Sequence, residues 1–117
     1  MARLSTHVLD TSRGIAARNV AIDLHIIRSG QHVLLKTVTT NQDGRTDEPL
    51  LSGASIETGV YEFTFHAGDY FRASGLEQTD PPFLDQIVVR FGVADPAGNY
   101  HVPLLLAPYS YSTYRGS

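Results

Sequence analysis

Tyr61-Glu62-Phe63-Thr64-Phe65-His66 sets an aromatic ring at every second position and a polar side chain between each pair. Successive side chains of an extended chain point to opposite faces. This stretch therefore reads as a β-strand with Tyr61, Phe63 and Phe65 in a core and Glu62, Thr64 and His66 on the far face. The same period recurs on either side of it. Val20, Ile22, Leu24 and Ile26 alternate with Ala21, Asp23, His25 and Ile27, and Ile87, Val89, Phe91 and Val93 alternate with Val88, Arg90 and Gly92. Weaker strand patterns cover residues 4–9, 33–40, 100–106 and 109–113. Ser29-Gly30, Asn41-Gln42-Asp43-Gly44 and Asp95-Pro96-Ala97-Gly98-Asn99 carry turn chemistry and are expected to join neighbouring strands as hairpins. One segment breaks the period. Asp69-Tyr70-Phe71-Arg72-Ala73-Ser74-Gly75 reads as about two turns of helix, with Asp69 as N-cap and Gly75 as the stop. The expectation is an all-β protein, a two-sheet antiparallel β-sandwich of about eight strands with one short helix.

The bulk properties narrow the function classes. A chain of 117 residues is expected to form one domain, residues 1–117, and can bury a core without metal or disulfide staples. Net charge is -3, Lys36 is the only lysine, and the arginines are scattered from Arg3 to Arg115, so no basic stripe would follow a nucleic-acid backbone. The absence of cysteine removes disulfides, thiolate metal sites and a cysteine nucleophile. No apolar run approaches the roughly 18 residues of a membrane span, and Met1 to His7 has no signal-peptide core. A soluble cytoplasmic protein is expected.

Motifs that announce chemistry are missing. The five histidines, His7, His25, His32, His66 and His101, show no zinc-type spacing. There is no glycine-rich phosphate loop and no Gly-x-Ser-x-Gly elbow. No cofactor or metal is expected. Three places stand out physically. His7 shares its face with Ser5 and Leu9, and His101 lies opposite a face carrying Tyr100, Val102 and Leu104. Arg45 follows the tight Asp43-Gly44 turn. By itself each reads as an ordinary half-exposed polar residue. The end is less ordinary: Tyr109, Tyr111 and Tyr114 crowd the last nine residues, where chains are usually polar and frayed.

Read together, these segments resemble a known family. His7-Val8-Leu9-Asp10-Thr11-Ser12-Arg13-Gly14-Ile15-Ala16-Ala17 resembles the opening signature of the 5-hydroxyisourate hydrolases of the transthyretin-like family. Thr40-Asn41-Gln42-Asp43-Gly44-Arg45 is similar to their central signature, and Phe65-His66-Ala67-Gly68-Asp69-Tyr70-Phe71 to the strand leading into their single helix. Tyr100-His101-Val102-Pro103-Leu104-Leu105-Leu106 resembles the late strand. Pro108-Tyr109-Ser110-Tyr111-Ser112-Thr113-Tyr114-Arg115-Gly116-Ser117 resembles the closing one. Ala16 departs from a usual proline and Ser110 from a frequent glycine. The hormone-carrying transthyretins share the fold and much of the closing run but lack the Tyr114-Arg115-Gly116-Ser117 type of ending, so the resemblance points to the enzyme branch.

The resemblance implies hydrolysis of 5-hydroxyisourate, a small carbonyl-rich urate derivative, by activated water without metal or cofactor. It implies His7 and His101 as the water-activating pair, with either one as the base, and Arg45 as the charge-stabilising substrate contact. Tyr114 is implied to orient the substrate. Ser117 would place the water through its hydroxyl or its α-carboxylate. It further implies a homotetramer, a dimer of dimers, with sites between dimers. The rival readings are a non-catalytic carrier of a small molecule, and a purely structural sandwich that pairs edge to edge with another protein.

Overall fold

A computed structural model describes residues 2–116. Among the described residues run eleven strands, one α-helix and one 3-10 turn: β1 (Arg3–Ser5), β2 (Val8–Asp10), β3 (Ile15–Ala16), β4 (Ala21–Arg28), β5 (Gln31–Thr39), β6 (Leu51–Ser52), the 3-10 turn (Gly53–Ser55), β7 (Gly59–His66), α1 (Ala67–Ala73), β8 (Gln86–Val93), β9 (Asn99–His101), β10 (Leu104–Leu106) and β11 (Tyr111–Thr113). The architecture is the expected sandwich, with eleven strands rather than about eight and with two parallel pairings where antiparallel ones were expected. The two weaker runs 4–9 and 100–106 are each interrupted once, and the short β3 and β6 lack a legible period.

One sheet has the order β5-β4-β7-β8 and is antiparallel throughout. Facing it are β6-β1-β9 and β11-β10-β2-β3. Here β1 pairs parallel with β9, and β2 parallel with β10. The two ladders stay in step across their break, Ser5 opposite His101 and Val8 opposite Leu104. At the break the N–H groups of Val102 and Leu104 still donate to the Ser5 and His7 carbonyls, each at 2.9 Å, and the Thr6 hydroxyl donates to the Val102 carbonyl at 2.7 Å. Together they act as one creased layer.

The alternation holds in three dimensions. Tyr61, Phe63, Phe65, Ile22, Leu24 and Ile87 are buried between the layers, joined by Leu4, Val8, Leu104 and Leu106 from the creased sheet. Phe63 and Phe91 pack with ring centroids 5.3 Å apart.

Two connections differ from expectation. Ser29-Gly30 does make the β4–β5 hairpin. Asn41–Gly44 and Asp95–Asn99 instead carry the chain from one layer to the other, since β5 and β8 lie in one sheet and β6 and β9 in the other. Turn residues fix a local bend, not the partner strand. The helix also starts earlier. Its N-cap is His66, directly off β7, and Asp69 lies inside the first turn, paired with Arg72 at 2.8 Å. Gly68 N–H is drawn instead to the Asp85 carbonyl at 2.8 Å. Gly75 closes the helix as read, at φ +86, with the N–H groups of Gly75 and Leu76 returning to the carbonyls of Arg72 and Phe71 in a Schellman motif.

Candidate functional site

Strand direction decides which side chains meet. In β1 and β2, Leu4, Thr6, Val8 and Asp10 face inward, so Ser5, His7 and Leu9 face out. In β9 and β10, Tyr100, Val102 and Leu104 face inward and His101 faces out. Because β1 and β9 are neighbours, Ser5 and His101 stand side by side, with Ser5 Oγ and His101 Nδ1 2.8 Å apart in a hydrogen bond.

The Asn41–Gly44 turn brings the cation. Its shape is set by Asn41, whose side-chain oxygen accepts from Asp43 N–H at 2.9 Å, and by Gly44 at φ +73. The Gly44 carbonyl accepts from Val8 N–H at 2.8 Å, which seats the turn on β2 beside His7. A Cβ on Gly44 would stand 2.3 Å from the Val8 carbonyl oxygen, so glycine is required there. Arg45 follows at once and projects into an open groove of about 380 Å³ that it shares with Arg3, Ser5, Asp47, Glu48 and His101.

His7 does not line that groove, yet it is electrostatically part of the cluster. Burial, and after it the Arg45 charge, pull the His7 ring below its ordinary value, against the Asp43 carbonyl and carboxylate, which pull the other way. Burial likewise lowers His101, followed by the charges of Arg45, His7 and Arg3. Both rings are therefore held neutral near neutral pH, the form that accepts a proton. The neighbouring guanidinium groups suit an anionic or carbonyl-rich ligand.

The end of the chain docks on the same strand. Gly116 N–H donates to the His101 carbonyl at 2.7 Å. Arg115 donates to the Asn99 carbonyl at 3.2 Å and lies over the Tyr100 ring at 4.3 Å. Tyr114 is exposed and lines a separate hollow with Val89, Phe91 and Gly92 of β8, so within one chain it does not reach the groove. Ser117 lies outside the described residues. The roles of Ser5 and Gly116 had no signal in composition or period. Their importance depends on the register of β1 against β9 and on the return of the chain end to His101.

The other histidines lie elsewhere. His32 Nε2 is 3.0 Å from Glu62 and His66 Nε2 is 2.9 Å from Asp23, both on the outer face of the β5-β4-β7-β8 sheet. His25 packs edge-on to His32. Among the described residues, no three His, Asp or Glu side chains gather as a metal-holding group, and no helix is long and apolar enough to cross a membrane.

The chain is similar to known proteins over nearly its whole length. The family model described as HIUase/Transthyretin family matches residues 4–116. The chain is 56% identical over 115 residues to the protein named 5-hydroxyisourate hydrolase 2 of Rhizobium meliloti, covering 98% of this chain and 96% of that one. Among solved structures, the 5-hydroxyisourate hydrolase of Klebsiella pneumoniae superposes with a TM-score of 0.81 at 33% identity, covering all of both chains. Transthyretin from Sparus aurata superposes at 0.87 with 27% identity, covering 97% of this chain and 96% of that one. A structure described as (S)-allantoin synthase superposes at 0.94 with 44% identity; the chain covers 99% of itself but spans only 44% of that longer chain. A family match over nearly the whole length places this chain in the HIUase/Transthyretin family.

Proposed function

We propose that the chain is a hydrolase that opens 5-hydroxyisourate to 2-oxo-4-hydroxy-4-carboxy-5-ureidoimidazoline in urate breakdown. The observation that carries this reading is the convergence of two histidines of lowered proton affinity and Arg45 on one outer face. One neutral ring takes a proton from water, and water attacks the ring carbonyl. Arg45 stabilises the charge that builds on the carbonyl oxygen, and the protonated imidazole returns its proton to the departing nitrogen. Near-identical names among relatives sharing half or more of their residues support the same substrate. A carrier has no use for a poised pair of neutral histidines, so the transthyretin-like carrier reading is the weaker one.

The site is proposed to be completed by a second copy. Strands β8 and β11 are edges of their sheets, and a shared hollow of about 300 Å³ between Val89–Gly92 and Thr113–Arg115 brings the two edges to one side. Unpaired strand edges favour pairing with another copy. A homotetramer, a dimer of dimers, would cover them and let Tyr114 and Ser117 serve a site shared between copies. Light scattering on the purified protein tests the assembly. A cytoplasmic setting belongs to the same reading and is checked by cell fractionation.

Substrate generated fresh with urate oxidase and followed by stopped-flow ultraviolet absorbance tests the activity. Decay is expected to be fast with the native protein and slowed by about 10²–10³-fold in Arg45→Ala and in His7→Ala. Decay no faster than the spontaneous rate with the native protein would sink the enzyme reading.

A further inference from the structure

We propose that Ser5 is a positioning residue for His101: it holds Nδ1, so that the ring exchanges protons with the groove through Nε2 alone. The inference rests on the reading that His101 serves the hydrolysis. Ser5 Oγ lies 2.8 Å from His101 Nδ1, and this is the ring's one side-chain hydrogen bond among the described residues. The bond spans two parallel neighbouring strands in register, so both partners are set by the sheet rather than by a mobile loop. The Ser5 carbonyl accepts from Val102 N–H at 2.9 Å, which fixes the backbone that carries the hydroxyl.

The surroundings decide which nitrogen carries the proton of the neutral ring. Arg3 and Arg45 line the groove beside His101, and their charges act on its ring where those of Asp47 and Glu48 in the same groove do not. A ring nitrogen facing two guanidinium groups is better placed as a lone pair than as an N–H, because the N–H dipole would point its positive end at the cations. The single proton therefore sits on Nδ1 and is donated to Ser5 Oγ. A serine hydroxyl accepts this bond while its own hydrogen rotates elsewhere. When Nε2 takes a proton from water, Nδ1–H stays on Ser5 and the ring keeps its orientation. When Nε2 gives the proton to the departing nitrogen, the starting tautomer is restored. No net proton is gained or lost by Ser5, which touches no reacting atom.

The test uses full-length protein carrying ¹⁵N-histidine, with His101 assigned by the signals lost in His101→Gln. Ring ¹⁵N shifts above the titration of His101 report the tautomer, and kinetics are run on the same samples. In the native protein the neutral ring is expected to be protonated at Nδ1. Ser5→Ala is expected to move it toward Nε2–H and to lower kcat about tenfold with KM within about twofold. Ser5→Thr, which keeps the hydroxyl on a β-compatible side chain, is expected to restore both. A native ring protonated at Nε2, an unchanged tautomer in Ser5→Ala, or full activity in Ser5→Ala overturns the proposal. A native protein without turnover sinks the hydrolase reading instead, and the ring shifts still decide whether Ser5 sets the tautomer.

Discussion

Gly116 lies against the ring of His101: its N–H donates to the His101 carbonyl at 2.7 Å, and a Cβ at Gly116 would stand 2.7 Å from His101 Cδ2. No side chain fits there unless the ring or the chain end moves. Gly116→Ala is therefore expected to cost activity rather than stability. Turnover should fall about 10²-fold, as for a reacting group displaced by about 1 Å, while the melting temperature stays near the native value because residues 111–115 leading to it are exposed and outside the core. Steady-state kinetics beside thermal unfolding check this; an unimpaired Gly116→Ala enzyme would show that the ring's position does not depend on the docked end.

Gly44 couples stability to the placement of Arg45. It needs φ +73 and leaves no room for a Cβ beneath the Val8 carbonyl. Gly44→Ala is expected to destabilise the fold by at least about 2 kcal/mol, from left-handed strain and the lost seat on β2. Urea unfolding measures the first effect, and the activity of the remaining folded protein measures the second. Native stability in the variant would mean that the turn can shift without strain.

The pH dependence follows from the two lowered histidines. Burial and then Arg45 hold His7 and His101 below the ordinary histidine value of 6.5. The neutral, proton-accepting rings should thus persist down to pH about 6.5 and titrate only below it. The acid limb of kcat/KM, which reports the free enzyme, is expected under pH 6.5, with a flat profile just above neutrality. The unfolded chain takes up these protons first, so the linked stability is present above about 6.5 and is lost as pH falls through the lower folded values. A kcat/KM profile with its acid midpoint above 7 would contradict the cluster's electrostatics.

Asp10 anchors the loop that precedes β3. Burial alone would push its carboxyl up, but hydrogen bonds from Ser12, Tyr70 and Arg13, with the Arg13 charge, hold it below the usual carboxylate range. Tyr70 O–H donates to it at 2.7 Å, tying β2 to α1. Asp10→Ala is expected to cost about 2–3 kcal/mol, as for loss of charge-assisted hydrogen bonds. Because the folded pKa is depressed, this contribution is full above about pH 4 and fades as pH falls through the folded value. The difference between native and variant urea midpoints should accordingly shrink in acid. A gap that stays constant down to pH 2 would assign the loss to packing instead.

The sequence by itself determined which side chains face the core. Period-2 alternation in 20–27, 61–66 and 87–93 needs only the geometry of an extended chain, and the same logic put His7 and His101 on outward faces before any strand had a partner. It also determined the helix stop at Gly75, where a left-handed position selects glycine. Tertiary structure alone decided the pairing. Asn41–Gly44 and Asp95–Asn99 have hairpin chemistry yet cross between layers, because a turn specifies a bend and the partner strand is chosen by burial elsewhere. Parallel pairing of β1 with β9, far apart in the chain, set Ser5 beside His101. The seating of Gly44 on Val8 brought Arg45 to them, and the return of Gly116 closed over the ring. Such relations join residues with no shared local pattern, so they exist only once the core has fixed where each strand lies.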